Sequence, residues 1–175
     1  MKRGSYERKY LPEFVYGGID GTVTTFAVVA GSIGASLNSS IVLILGFANL
    51  FADGFSMAIS DYLSTKSRND LERHKELRRN AQKTALATFI VFILIGFIPL
   101  ISFVLAVITK NNYLISNQFF LSFVLTAISL FVIGYFKGEV TGKHKLFSSL
   151  ETLTIGGIAA AVAFLVGFFV KNLVG

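Results

Sequence analysis

The stretch LFADGFSMAISDYLSTKS (50–67) decides the fold of this chain. It belongs to an apolar run that is long enough to cross a bilayer, which takes about 20 residues of α-helix. Asp53 lies within this run, and Asp61 lies nearer its end. A charge at membrane depth costs about 2.5–3.5 kcal/mol on insertion scales, so a carboxylate there is a candidate functional group.

The rest of the chain has the same apolar character, with 53% hydrophobic and 15% charged residues among its 175. The composition predicts an all-α, polytopic membrane protein with five transmembrane helices, forming a single transmembrane domain over 1–175. We place the helices at about 13–36, 40–64, 85–108, 118–138 and 148–171. The link at 65–84 is expected to be cytoplasmic and helical. Pro12 suits the first position of a helix, and Pro99 should kink the third helix.

Lysine and arginine are distributed unevenly between the two sides of this arrangement. The N-terminal segment and the links after the second and fourth helices hold 14 of the 16 basic residues, and only Lys110 and Lys171 lie on the other side. The positive-inside rule therefore predicts a cytoplasmic N-terminus and a C-terminus that is outside or lumenal. Basic segments beside a membrane favour anionic lipid head groups as partners, rather than nucleic acid.

Polar residues of the first two helices come together if these helices form a hairpin. The short polar link at 36–40 predicts a tight antiparallel pair, in which Asp20 lies level with the stretch between Asp53 and Met57. Asn49 lies one helical turn before Asp53, on the same slowly drifting face. The hairpin thus places two carboxylates, a thioether and an amide at one depth.

This set of donors favours a borderline divalent cation, Fe²⁺ or Mn²⁺ in particular. Carboxylate and amide oxygens suit hard and borderline ions, and a thioether adds a soft donor. A structural zinc site would use cysteine or histidine, which these helices lack. Without the aspartates, Met57 would be interpreted as an ordinary core or lipid-facing residue. The accessory ligand candidates are Thr24, Asp61, Glu139 and Glu151.

Three segments resemble the vacuolar iron transporter family of Fe²⁺/Mn²⁺ transporters: YGGIDGTVTTFAVVAGSIGAS (16–36), ILGFANLFADGFSMAISDYLSTKS (44–67) and ETLTIGGIAAAVAFLVG (151–167). The resemblance implies a homodimer whose first helix lies at the interface and lines the metal path. It implies export of metal from the cytosol in exchange for protons, without a prosthetic group. The membrane would be the cell membrane in a prokaryote or the vacuolar membrane in a eukaryote.

The resemblance also assigns roles to single positions. Asp20 matches the aspartate of the family's metal path, and Met57 matches its methionine. Plant-type members carry a glutamate eight residues before that methionine, where this chain has Asn49, and Asp53 is the candidate replacement. Those members also have a long cytoplasmic domain, rich in Glu and Met, between helices two and three. The link in this chain is too short to contain it.

Two other functions fit the same residues. A cation channel could use the aspartates as a ring in its pore. A membrane scaffold could use them only for hydrogen bonds between helices. The sequence contains neither a nucleophile–base pair nor a phosphate-binding loop, so we predict no enzymatic activity.

Overall fold

The computed structural model describes residues 3–174, and it describes side chains from Tyr10 onward except that of Glu76. Lys2, one of the cations counted above, lies outside the described residues. The described range contains helices and no strand. Its α-helices are α1 (Arg3–Gly34), α2 (Ser39–Leu71), α3 (Ala81–Gly96), α4 (Ile101–Thr109), α5 (Asn112–Thr141) and α6 (Lys145–Val174).

Five segments of the described chain are long and apolar enough to cross a membrane, which confirms the five predicted transmembrane helices. The third segment consists of α3, a short 3-10 turn at Ile98–Leu100, and α4. The break lies at Pro99, as predicted, because proline has no N–H to donate to the preceding turn. Because the number of segments is odd, α1 begins and α6 ends at opposite ends of the bundle.

The helices extend beyond the apolar runs that predicted them. Pro12 lies inside α1 instead of beginning it, since the missing N–H removes one backbone hydrogen bond without ending the helix. α5 begins at Asn112 rather than at 118, because the side chain of Asn111 caps it by accepting a hydrogen bond from the N–H of Tyr113 at 2.9 Å. Hydropathy therefore located the membrane-spanning part of each helix, and polar caps set the actual ends.

The link predicted to be helical over 65–84 is helical at its two ends and irregular between them. α2 continues past its apolar run, as expected, but 72–80 contains only one 3-10 turn. Asn69 closes this loop with two hydrogen bonds to the backbone of Arg79. Its Nδ2 donates to the carbonyl oxygen at 2.6 Å, and its Oδ1 accepts from the N–H at 3.0 Å. Such side-chain bonds compete with helical ones and favour a compact turn.

α1 and α2 form the expected hairpin through a short connection. Ser36 adopts a left-handed conformation with φ 56°, which reverses the chain. Asn38 then caps α2, and its Oδ1 accepts a hydrogen bond from the N–H of Ile41 at 3.0 Å. The two helices that carry Asp20 and Asp53 are therefore antiparallel neighbours.

α1 is the central helix, and it packs on α2, α3, α5 and α6, most extensively on α6 and α3. Glycines allow these close approaches. A Cβ added at Gly21 would lie 2.7 Å from the carbonyl oxygen of Phe92, and one added at Gly96 would lie 2.8 Å from that of Gly21. Farther along α1, Gly31 contacts Gly167 of α6 at their backbones. α1 is thus held by backbone contacts along most of its length.

Candidate metal site

Asp20 lies near the middle of the membrane-spanning part of α1 and is half-buried. Gly17, one turn earlier, packs so closely on α3 that an added Cβ would lie 3.0 Å from the carbonyl oxygen of Thr88. The hydroxyl of Thr24 donates to the backbone carbonyl of Asp20 at 2.7 Å. The proton of Thr24 is therefore used within α1, and its oxygen keeps lone pairs for a ligand.

Asp53 lies on the neighbouring helix α2 and is also half-buried. α2 packs on α1 as its antiparallel neighbour, so the two carboxylates lie on adjacent helices within apolar segments. Like charges in a low-dielectric environment are costly, and a bound cation lowers that cost. The pair is therefore suited to hold a cation.

Met57 and Asn49 have different surroundings, although both are on α2. Met57 is 9% exposed and packs in the apolar core with Leu50 and Phe92. The side-chain Nδ2 of Asn49 is buried and has no hydrogen-bond partner among the described residues. An unsatisfied buried polar group costs about 1–3 kcal/mol, so a hydrogen-bond acceptor such as a water oxygen would be stabilised at Nδ2 of Asn49. Met57 has a packing role whether or not its sulfur binds metal.

The other carboxylates named as accessory candidates lie elsewhere. Asp61 accepts hydrogen bonds from Thr88 at 2.8 Å and from Thr65 at 3.4 Å, which tie α2 to α3. Glu139 forms an exposed ion pair with Lys145, and Glu151 forms one with Lys137, both between α5 and α6. No group of three His, Asp or Glu residues that could hold a metal exists in the described part of the chain. Glu139 and Glu151 thus join no such cluster, because lysines of the α5–α6 hairpin pair with them instead.

Glu13 is a buried carboxylate that the sequence did not reveal. It is 3% exposed, and its Oε1 forms an ion pair with Nη2 of Arg79 in the α2–α3 link. Its Oε2 is buried without a hydrogen-bond partner within the described residues. Glu13 borders the charged N-terminal segment, where a glutamate is unremarkable. The only available signal was its spacing of seven residues from Asp20, which places both on one face of α1.

One chain offers four candidate side chains to a divalent cation, which is fewer than the number of ligands that such a cation commonly takes. Asp20 and Asp53 supply carboxylates, Asn49 supplies an amide, and Met57 is the only soft donor nearby on α2. Divalent ions bound by oxygen commonly take six or more ligands. Further ligands would have to come from water or from a second copy of the chain.

A family model described as the VIT family matches residues 11–83 and 73–168. The chain is 25% identical to a vacuolar iron transporter of Plasmodium berghei (strain Anka), over 96% of this chain and 85% of that protein. It is 27% identical to that of Toxoplasma gondii (strain ATCC 50861 / VEG), over 95% of this chain and 76% of the other. It is 28% identical to vacuolar iron transporter 1 of Arabidopsis thaliana, over 91% of this chain and 86% of that protein. No solved structure matches this chain significantly.

This chain also differs in length from these relatives. The alignment with the Plasmodium berghei protein spans 233 positions, more than the 175 residues of this chain, so that protein has residues that this chain lacks. The two matches to the family model overlap at 73–83, which covers most of the α2–α3 link and the first residues of α3. The match to the family model is therefore divided at this link.

Proposed function

Because this chain belongs to the VIT family, we propose that it transports Fe²⁺ across a membrane, with Mn²⁺ as a further substrate, in exchange for protons. The observation that carries the proposal is the pair of half-buried carboxylates, Asp20 and Asp53, on the adjacent apolar helices of the α1–α2 hairpin. Proteins retain such costly groups where an ion or a proton passes.

A homodimer with α1 at its interface would complete the donor set. Two copies related by a twofold axis would bring four carboxylates together, with Met57 and Asn49 of each chain beside them. Four like charges at one axis could not all be ionised without a cation, so protons and metal would compete for the same groups. This competition is a physical basis for antiport.

The basic ends of the bundle indicate the direction of transport. We assign the ends of α2 and α5 that carry the basic links to the cytosol, where they would contact anionic lipids. Metal would then move from the cytosol to the other side. The relatives are named vacuolar iron transporters, so the membrane would be that of a vacuole in a eukaryote and the cell membrane in a prokaryote.

The decisive experiment is metal uptake by vesicles that contain the purified chain, with and without a proton gradient. An antiporter moves Fe²⁺ against its concentration gradient when protons flow the opposite way. A channel that used the same aspartates would only equilibrate the metal, and a scaffold would neither move nor bind it. Uptake that ignores the proton gradient would contradict antiport and favour the channel.

We expect the two ends of the chain to lie on opposite sides of the membrane, with the N-terminus in the cytosol. Single cysteines introduced by Arg3→Cys and Val174→Cys test this, because the native chain has no cysteine. A membrane-impermeant thiol reagent should label only the second from outside a cell or from the vacuolar lumen. Labelling of both residues from the same side would contradict the orientation.

Replacing Met57 by leucine tests whether its sulfur binds metal. Leucine keeps most of the side-chain volume, so the core around Leu50 and Phe92 should remain packed. Because sulfur is a soft donor and Mn²⁺ is harder than Fe²⁺, we expect Fe²⁺ transport to fall several-fold more than Mn²⁺ transport. The measurement is the ratio of the two uptake rates. Wild-type rates for both ions would show that Met57 only packs the core and that oxygen ligands hold the metal.

A further inference from the structure

Glu13 is buried, and only one of its two carboxylate oxygens has a partner among the described residues. One carboxylate oxygen pairs with Arg79, and the other has no hydrogen-bond partner in the described chain. A buried charge needs both an opposite charge and a complete set of hydrogen bonds to offset the loss of water. Asp61, a carboxylate at the same end of the bundle, has hydroxyl donors on both oxygens. The free oxygen of Glu13 therefore remains open to another ligand.

The position of Glu13 relates it to the candidate metal site. It lies seven residues before Asp20, which is two turns of α-helix, on the same face and about 10 Å nearer the end with the basic links. Between Glu13 and Asp20, Gly17 packs closely on the backbone of Thr88, so α1 lies against α3 at this level. An ion at Glu13 would thus lie on the side of Asp20 from which metal approaches in the proposed direction of transport.

The partner of Glu13 belongs to the link and not to a transmembrane helix. Arg79 lies at the end of the irregular segment 72–80, where two hydrogen bonds from Asn69 hold its backbone. This clamp fixes the main chain of Arg79, and the long side chain reaches α1. The guanidinium therefore lies at the end of a long side chain whose backbone is fixed. A change in side-chain conformation is enough to withdraw it from Glu13.

We propose that Glu13 is a metal-binding carboxylate at the cytosolic mouth of the transport path and that the guanidinium of Arg79 is its built-in competitor. This inference rests on the proposed function. An incoming divalent cation takes the place of Arg79 on Glu13 and then moves along α1 to Asp20. The tethered cation occupies Glu13 when metal is scarce, so it reduces the apparent affinity for metal by the fraction of time that Glu13 is occupied.

The test measures KM and kcat for Fe²⁺ uptake into vesicles by four forms of the full chain. Arg79→Met removes the competitor, and we expect KM to fall about fivefold. Glu13→Gln removes the ligand, and KM should rise. The double variant should have the KM of Glu13→Gln, because the proposed competition needs the carboxylate of Glu13. Arg73→Met is the matched control, since Arg73 is an exposed arginine in the same link and its loss changes the charge of the mouth equally.

Several results would overturn the inference. Arg79→Met could leave KM unchanged or shift it only as much as Arg73→Met does, which would reduce Arg79 to a structural or general electrostatic role. The double variant could also keep the lower KM, which would separate Arg79 from Glu13. If wild-type vesicles take up no metal, the proposed function itself fails. If they transport normally and only these KM shifts are missing, the competitor alone is wrong.

A second measurement needs no substitution, so it remains available if a variant fails to fold. Metal that displaces Arg79 should free its guanidinium for phenylglyoxal, which modifies arginine side chains. Addition of Mn²⁺ to the wild-type chain should accelerate modification of Arg79 several-fold, relative to modification of exposed Arg73. Equal rates with and without metal would contradict displacement.

Discussion

Vesicles that contain Asp20→Ala are expected to take up Fe²⁺ no faster than vesicles without protein. Asp20 is one of two half-buried carboxylates on the adjacent helices of the α1–α2 hairpin, and alanine removes both its charge and its carboxylate oxygens. No described glutamate, aspartate or histidine forms a cluster with the pair that could replace it. Asp53→Ala should cause the same loss if Asp53 acts in place of the family's glutamate.

The matched control is Asp70→Asn, which removes an exposed carboxylate from the end of α2 and should leave uptake at the wild-type rate. Each variant must first be shown to insert and to form the same oligomer as the wild-type chain. Rapid Fe²⁺ uptake by Asp20→Ala would remove Asp20 from the metal path. Loss in Asp20→Ala with full activity in Asp53→Ala would leave Asn49 as the residue that acts at this level of α2.

Gly167→Leu is expected to separate α6 from α1. A Cβ at residue 167 would overlap the carbonyl oxygen of Gly31 and lie 2.8 Å from its carbonyl carbon. Because backbone atoms cannot rotate away as a side chain does, the helices must move apart. Overpacking of this kind costs about 1–3 kcal/mol, which corresponds to a fall of roughly 2–12 °C in the unfolding midpoint of a chain of this size.

The control for this prediction is another glycine of α6. A Cβ added at Gly157 meets no atom within 4 Å, so Gly157→Leu should unfold at nearly the wild-type temperature. The two variants add the same side chain to the same helix and differ only in what the new atoms touch. Thermal unfolding of both in one detergent, followed by circular dichroism, makes the comparison. Equal midpoints would show that the contact between α1 and α6 is not tight.

Most of the fold could be predicted because the bilayer constrains it so strongly. Each apolar run must form a helix to satisfy its backbone in lipid, and Pro99 must interrupt the run that contains it. The helix ends were less predictable. Helix α1 continues through Pro12, and 72–80 leaves the helical conformation because Asn69 binds the backbone of Arg79. Such ends depend on individual side-chain hydrogen bonds, to which hydropathy is insensitive.

The candidate site could be predicted in part for a related reason. Asp20 and Asp53 stand out because each is a charge within an apolar run. Glu13 does not, since its burial depends on Arg79, which is distant in sequence and reaches it only in the folded chain. Glu139 and Glu151 flank a link in the sequence, which made them candidate ligands, yet lysines of the same hairpin pair with them.

The close packing of α1 on α6 has a consequence for biosynthesis. α1 leaves the ribosome before α6. Until α6 is inserted, the face of α1 around Gly31 lacks the backbone contact that Gly167 provides. The contact between α1 and α6 can therefore form only late in synthesis. Any chain that stops before α6 would leave this glycine face of α1 without its partner helix.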